Sequence, residues 1–576
     1  MERLEAKKIK GRTYYYYSKW GWVDGKCRRM WQKYLGKLED IVKAVDGGGP
    51  PPEYAEVFQW GLPSALWNEC TLAEFVDFTD ALCPKRQQGM STGEYLAIAA
   101  VNRAISPQSK RSMWQWFSQT VLLRHLPHAS KAALSSQRFW DHMDRIDAET
   151  AQKIWKTVLQ STLRREQIDV SSISYDGTNF YTFIDTFNSR CQVAKRGKNK
   201  QGRNNLRQIS YALFCSADGS FPLYFDVYDG NRNDAKQFPL MLKRFHEFLH
   251  QLRPDEGSDA ETTLIFDKGN NSKKNFQLLD ELRLNFVGSV KLDTQKDLLE
   301  VSNQDERFKA CTSPELEGTK SFRVLREVHG KERILVVTYN ENLFKTQWLT
   351  LNNDISKAVN RLAELRQKLQ DRTNGLIKGG KPPKQESIIG QSQQILSRRF
   401  LKSIIGVTVS QGPDEIPRLE YEIDAQALFE ITDTYLGKNI LISGRSDWND
   451  DRIIEAYRSQ FLIEDVFKQM KDHGRGNWWP LNHWTDSKIT VHGLYCTMAL
   501  LLRALLMRRL KQAGLKLSVK RALSELDVIR EVVNVFPRKR RQKTQRKQTV
   551  LTKTSEIQRK LVSILGLEKY KPNMLG

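Results

Sequence analysis

Cysteine is scarce in this chain and spaced for neither cross-links nor metal: Cys27, Cys70, Cys83, Cys191, Cys215, Cys311 and Cys496 are scattered, with no C-x-x-C pair. That excludes a disulfide framework and a cysteine zinc knuckle, and suits a reducing, cytoplasmic compartment. Long uncharged apolar runs are missing too. The longest, around Met498 to Leu502, is cut by Arg503, and the opening MERLEAKKIKGR has no apolar h-region, so neither a membrane span nor a signal peptide is expected. No internal repeat is visible, which argues against a solenoid. Acidic residues are in deficit, 67 against 91 Lys plus Arg, and the resulting charge of +24 attracts polyanions over a Debye length. Nucleic acid, not membrane, is the expected partner. What is present is ordinary for a folded chain: 40% hydrophobic and 27% charged residues exclude disorder as the main state, and 576 residues suffice for about four domains.

The texture divides the chain. Residues 1–46 read as a small basic β-rich module, with an aromatic run at Thr13 to Tyr17, a hairpin signal at Val23-Asp24-Gly25 and a second extended run from Arg28 to Tyr34. Its aromatics, Tyr14, Tyr15, Tyr16, Trp20, Trp22 and Trp31, are expected to line a small core; stacking on bases is the alternative. The run Gly47 to Pro52 marks a linker over 47–56. Helical spacing then predicts a helical domain over 57–168, with Ser135 or Ser136 as an N-cap. At Ile168 the pattern turns to short β-type runs: Ile173 to Phe183, Ile209 to Cys215, Phe221 to Val227, Thr262 to Phe266 and Asn285 to Val290. A helical pattern, Gln237 to Leu252, sits among them. This predicts an α/β domain with a mixed sheet, its first part at 169–290 and its second at 438–515. Between them 291–437 read as a β-rich insertion, and 516–576 as a basic C-terminal region around Arg538 to Lys547. In the second part, Asn439 to Ser443 reads as a strand and Asp450 to Lys471 as one helix.

Three carboxylates stand out in the α/β domain. Asp176 lies within the first β-type run and Asp267 ends the apolar run Thr262 to Phe266. Glu464 lies on the predicted helix, where positions 457, 460, 464, 468 and 471 share a face. Each has a bland reading: turn residues for the two aspartates, a surface pair with Lys468 for Glu464. Together they place two strand-borne carboxylates and one helix-borne carboxylate in order. Three convergent carboxylates repel one another, and two Mg²⁺ ions, with Mn²⁺ as a substitute, would neutralise them and serve phosphodiester displacement.

These residues resemble a known family, the DDE transposases of the bacterial insertion-sequence-four superfamily, most closely the branch typified by insertion sequence sixteen-thirty-four. Its helix signature Y-x2-R-x3-E-x6-K is matched by Tyr457, Glu464 and Lys471, while Gln460 stands at the arginine position. Tyr175-Asp176-Gly177-Thr178, Gly230-Asn231-Arg232-Asn233-Asp234, Phe266-Asp267-Lys268-Gly269-Asn270 and Pro480-Leu481-Asn482-His483-Trp484 with His492 are also similar to that branch. The resemblance implies an RNase H-like catalytic core interrupted by an insertion, with Asp176, Asp267 and Glu464 as catalytic metal ligands and Tyr457, Gln460 and Lys471 as DNA contacts. It further implies a bacterial, nucleoid-associated enzyme that binds terminal inverted repeats in double-stranded DNA, cleaves the ends and joins them to target DNA as a homodimer. A transposase-derived DNA-binding protein that no longer cuts is the alternative. Lys471 as a solvent-facing lysine, and His483 and His492 as structural histidines, are the plainer readings of those residues.

His246-Glu247-Phe248-Leu249-His250 is a formal H-E-x-x-H, the zinc-peptidase pattern. Phe245, Phe248, Leu249 and Leu252 read as core contacts and no third ligand is evident nearby, so the peptidase reading is set aside.

Overall fold

The computed structural model describes residues 1–572 except 24, 47–50, 85–88, 233, 253–261, 378, 413–414, 473, 477 and 539–543. The turn residue Asp24, the glycines of the predicted linker, Asn233 and most of the predicted basic cluster after Arg538 therefore lie outside the described residues. The chain forms two compact units, one built from Met1–Val76, Pro84–Trp140 and Leu505–Gly576, the other from Asp77–Cys83 and Asp141–Ala504.

In the first unit the strands Glu2–Ile9, Arg12–Val23 and Lys26–Gly36 form an antiparallel three-stranded sheet. The expected aromatic core does not form. Among the described residues of 1–46 only Ser18 and Gly36 are buried, and Trp22 is 77% exposed. A three-stranded sheet without a second layer cannot cover either face. Its rings make surface contacts instead: Tyr34 lies against Tyr14 and Tyr16, Tyr17 against Trp31, Trp20 Nε1 donates to Glu5 at 2.6 Å, and the Arg3 guanidinium lies 4.7 Å from the Trp20 ring centroid. The C-terminal region is no separate tail. Strand Arg530–Val535 pairs with Tyr54–Gln59 on one side and Lys547–Leu551 on the other, and Trp60 Nε1 donates to the Tyr570 carbonyl.

The second unit carries a sheet of ten strands among the described residues. Its main strands are β1 Ser172–Tyr181, β2 Arg207–Ser216, β3 Pro222–Asp229, β4 Thr263–Ile265, β5 Asn285–Ser289, β6 Thr319–Val328, β7 Lys331–Asn340 and β8 Lys438–Ser443. β1, β2 and β3 form an antiparallel meander, β4 runs parallel to β1, and β5 runs parallel to β4. β8, β7 and β6 extend the sheet antiparallel beyond β5. Side chains alternate along β1. Tyr175 packs towards helix Asp234–Leu252, its ring 5.1 Å from Phe238, whereas Phe180 faces the opposite way and stacks on Trp478 at 4.5 Å.

The insertion departs from expectation. Residues 291–437 hold more helix than strand, because a 33-residue helix, Glu341–Thr373, dominates them. Leu351, Ile355, Ala358, Leu362 and Leu369 recur at helical spacing along its buried stripe and meet Ile388, Leu401 and Ile404. The strands β6 and β7, also in this segment, belong to the central sheet. Lys438 in β8 ties the two parts together: its buried ammonium donates to the carbonyls of Leu299, Val301 and Asp433 at 2.6 to 2.7 Å. By length and composition, helix Asp486–Gln512 could cross a membrane, but 89% of its apolar window is buried in the protein, the behaviour of a core helix.

Candidate active site

The two aspartates are placed by strand register. The last paired residues of β1 and β4 are Ser174 and Ile265, and Ile265 pairs in turn with Val287 of β5. Asp176, Asp267 and Ser289 each stand two residues further on, so they occupy one level on neighbouring strands and share the face of the residues they follow. Parallel strands lie about 4.8 Å apart, which makes Asp176 and Asp267 near neighbours. Apolar burial drives this: Ile173, Leu264, Ile265, Phe286 and Val287 are all at most 1% exposed; β4 ends at Ile265 and β5 at Ser289, while β1 runs on past Asp176 to Tyr181. Asp176 is half-buried and accepts a hydrogen bond from the Gly177 amide at 2.7 Å. Asp267 is half-buried at the start of a short 3₁₀ turn, Lys268–Asn270.

The expected single helix is two. Asp450–Arg458 and Gln460–Lys471 meet at Ser459, whose hydroxyl donates back to the Ala456 carbonyl at 2.7 Å and whose carbonyl accepts from Leu462 in a tighter turn. Such back-bonding bends helices. Tyr457 therefore lies on the first helix, and Gln460, Glu464 and Lys471 on the second, so the predicted common face is divided. Ile453 and Ile454 seat the first helix on Ile265, Val287 and Val336, which brings the Tyr457 hydroxyl to Ser289, where it donates at 2.8 Å. Burial raises the Tyr457 phenol pKa; the Ser289 hydrogen bond opposes this, and the negative charges of Asp267 and Glu464 add to it. Tyr457 thus lies within electrostatic reach of both carboxylates.

The second helix buries Ile463, Val466, Phe467 and Met470 and leaves Glu464 exposed. Gln460, at its first turn, is 8% exposed. Lys471, two turns beyond Glu464, donates to Thr178 Oγ1 at 2.6 Å and lies 5.8 Å from the Phe180 ring centroid. Burial lowers the Lys471 pKa, the positive charge of Lys200 lowers it further, and Asp176 opposes the shift. Lys200 itself donates to the Gly177 carbonyl at 2.8 Å. Lys200 and Ser289 were not singled out from the sequence, and Thr178 entered only as part of the stretch Tyr175 to Thr178, with no role of its own. Strand alternation from Asp176 points to Thr178, but nothing beyond a basic loop marks Lys200.

His492 and His483 are buried beneath this region. His492 Nε2 lies 2.8 Å from the Trp478 carbonyl, which can only accept, so that nitrogen carries the proton; Nδ1 faces the Tyr495 hydroxyl. His492 thus holds Trp478, which stacks on Phe180, and His483 packs against His492 and Tyr495, a structural role. Among the described residues no three His, Cys, Asp or Glu side chains lie close enough together to hold a metal ion. The carboxylates of Asp176 and Asp267 offer only oxygen donors, a set that fits a hard divalent cation and disfavours a zinc site of nitrogen and sulfur.

The chain matches the family model for the transposase DDE domain over residues 168–502, more than half its length, and belongs to that family. No curated protein matches it. Among solved structures, the piggyBac transposase synaptic complex with hairpin DNA is similar at 11% identity and a TM-score of 0.35, over 80% of this chain and 78% of that one. The Mos1 transposase paired-end complex with the left transposon end is similar at 14% identity and a TM-score of 0.15, over 35% and 59% of the two chains. A pre-cleavage Mos1 transpososome stands at 13% identity and a TM-score of 0.15, over 35% and 60%.

Proposed function

We propose that this chain is a metal-dependent transposase of a bacterial insertion sequence, of the insertion-sequence-four superfamily, that binds terminal inverted repeats, cleaves DNA at the element's ends and transfers the strands to target DNA. The observation that carries the reading is the shared level of Asp176 and Asp267 on adjacent parallel strands. The strand order β3-β2-β1-β4-β5, with the last two parallel to β1, supports an RNase H-like core. Asp176 and Asp267 would hold the cations, with Glu464 brought in from the exposed side of its helix once DNA is bound. Two Mg²⁺ ions, or Mn²⁺ in their place, would supply charge neutralisation at the attacking and leaving oxygens of the phosphodiester. Lys471 would meet a DNA phosphate as a point charge beside Asp176, exchanging its Thr178 hydroxyl for the anion. Tyr457, fixed on Ser289, would orient the approaching backbone, while Gln460, nearly buried, would donate at most through its amide edge. DNA affinity is assigned to the basic N-terminal module, the helical residues up to 168 and the basic side of residues 291–437, and two copies would join two ends.

The test is Mg²⁺-dependent cleavage of DNA carrying the element's own ends. Asp176→Asn should abolish cutting while leaving DNA binding intact. Cutting by the variant near the wild-type rate would show that the carboxylates are misassigned, and a wild-type chain that binds but never cuts would favour a silent DNA-binding protein.

A further inference from the structure

The H-E-x-x-H segment plays no part in the site above, yet its geometry is specific. Helix Asp234–Leu252 is anchored by Phe245, Phe248 and Leu249, each at most 7% exposed, so its orientation is fixed from within. His246 and His250, one turn apart, share another face, where His246 is half-buried and His250 exposed. Their Nε2 atoms lie 3.3 Å apart, with the rings nearly perpendicular at 84°. Two metal–nitrogen bonds of about 2.0–2.1 Å at a tetrahedral angle span about 3.3–3.4 Å. The spacing is the bite of a chelate. The ring centroids, 4.4 Å apart, would open to about 5 Å around a metal lying in both ring planes, a small rotation for the exposed His250.

We propose that His246 and His250 form a two-histidine site for a borderline transition-metal ion, Zn²⁺, Ni²⁺ or Cu²⁺, separate from the carboxylate centre. Two imidazole nitrogens at this separation share one proton, and the metal takes that proton's place. Donor chemistry divides the two sites: imidazole selects zinc, nickel and copper, whereas carboxylates select magnesium and manganese. Among the described residues no third His, Cys, Asp or Glu side chain completes the set. Glu247, one residue beyond His246, projects about 100° around the helix and does not face the pair. The segment is thus a metal clasp across one helical turn and not a peptidase centre.

The experiment is Zn²⁺ titration of the untagged full-length chain by calorimetry, with Co²⁺ absorption as a second readout, in the presence of millimolar Mg²⁺. The expected result is one saturable site that Mg²⁺ does not displace, weakened at least ten-fold by His246→Ala and by His250→Ala separately. Both substitutions replace side chains on the solvent side of the helix, so circular dichroism melting should be unchanged, and His250→Ala should keep wild-type Mg²⁺-dependent DNA cleavage. Wild-type zinc affinity in either single variant, displacement by Mg²⁺, or no saturable binding at all would overturn the assignment. Failure here leaves the transposase reading intact, because the two sites share no residue.

Discussion

At the residue scale the turn reading fails for Asp176, which lies inside β1, and describes Asp267, which begins a 3₁₀ turn. Each nevertheless stands two residues past the last pair between β1 and β4. Asp267→Asn should reduce DNA cleavage by more than about 100-fold, beyond the usual loss on removing an outer-shell partner, with no change in thermal melting. Lys471 offers a pH test. Burial and Lys200 lower its pKa below the ordinary 10.5, so its charge is lost as pH rises through that lowered value. Its share of DNA affinity should therefore fall at a pH below the ordinary lysine range. Lys471→Arg, which stays charged, should remove that step from a binding curve measured against pH. The carboxylates were legible in the sequence because each ends or interrupts a run of apolar β-type residues. Lys200 was not, since a lysine in a basic loop carries no mark of the carbonyl it will meet. Nor was the exposure of Glu464 legible, for helical spacing alone leaves open which side of the stripe meets solvent.

At the scale of elements, close backbone approach and buried polar ties hold the second unit in register. A Cβ added at Gly230 would stand 1.8 Å from the Gln208 carbonyl oxygen, within backbone that cannot swing aside. Gly230→Ala should thus destabilise the unit by at least about 2 kcal/mol, read by chemical denaturation. Lys438 spans the core and the insertion through three carbonyls. Lys438→Met would leave those buried acceptors without a donor and should cost about 3 kcal/mol in the same measurement. Six of the eight main strands of the central sheet were legible to within two residues, since apolar runs bounded by turns suit a buried sheet, whereas Tyr54–Gln59, Arg530–Val535 and Lys547–Leu551 of the first unit were not read as strands. The helix break at Ser459 escaped because it depends on one hydroxyl returning to Ala456. The insertion was misjudged because the helix read near Ile355 to Leu369 extends over Glu341–Thr373, and the helices Gln385–Ile395 and Ala425–Thr434 were not read at all.

At the scale of the molecule, the charge of +24 draws DNA in, while on the proposed reading the carboxylates would repel it until cations are bound. The N-terminal sheet buries no large side chain among its described residues, so deleting residues 1–46 should spare folding while reducing binding to the element's ends more than binding to random DNA. Equal losses would mean that the module supplies charge alone. Affinity should also fall with salt at a log–log slope of about −0.9 per phosphate neutralised. The central claim, that Asp176, Asp267 and Glu464 gather around divalent cations, is tested most directly by iron-directed cleavage. Fe²⁺ in place of Mg²⁺, with ascorbate and peroxide, cuts a polypeptide beside its metal ligands. The DNA-bound protein should be cut next to residues 176, 267 and 464, with protection by excess Mg²⁺ and loss of all three cuts in Asp176→Asn. Absence of cutting beside residues 176, 267 and 464, or unchanged cutting there in that variant, would contradict the account.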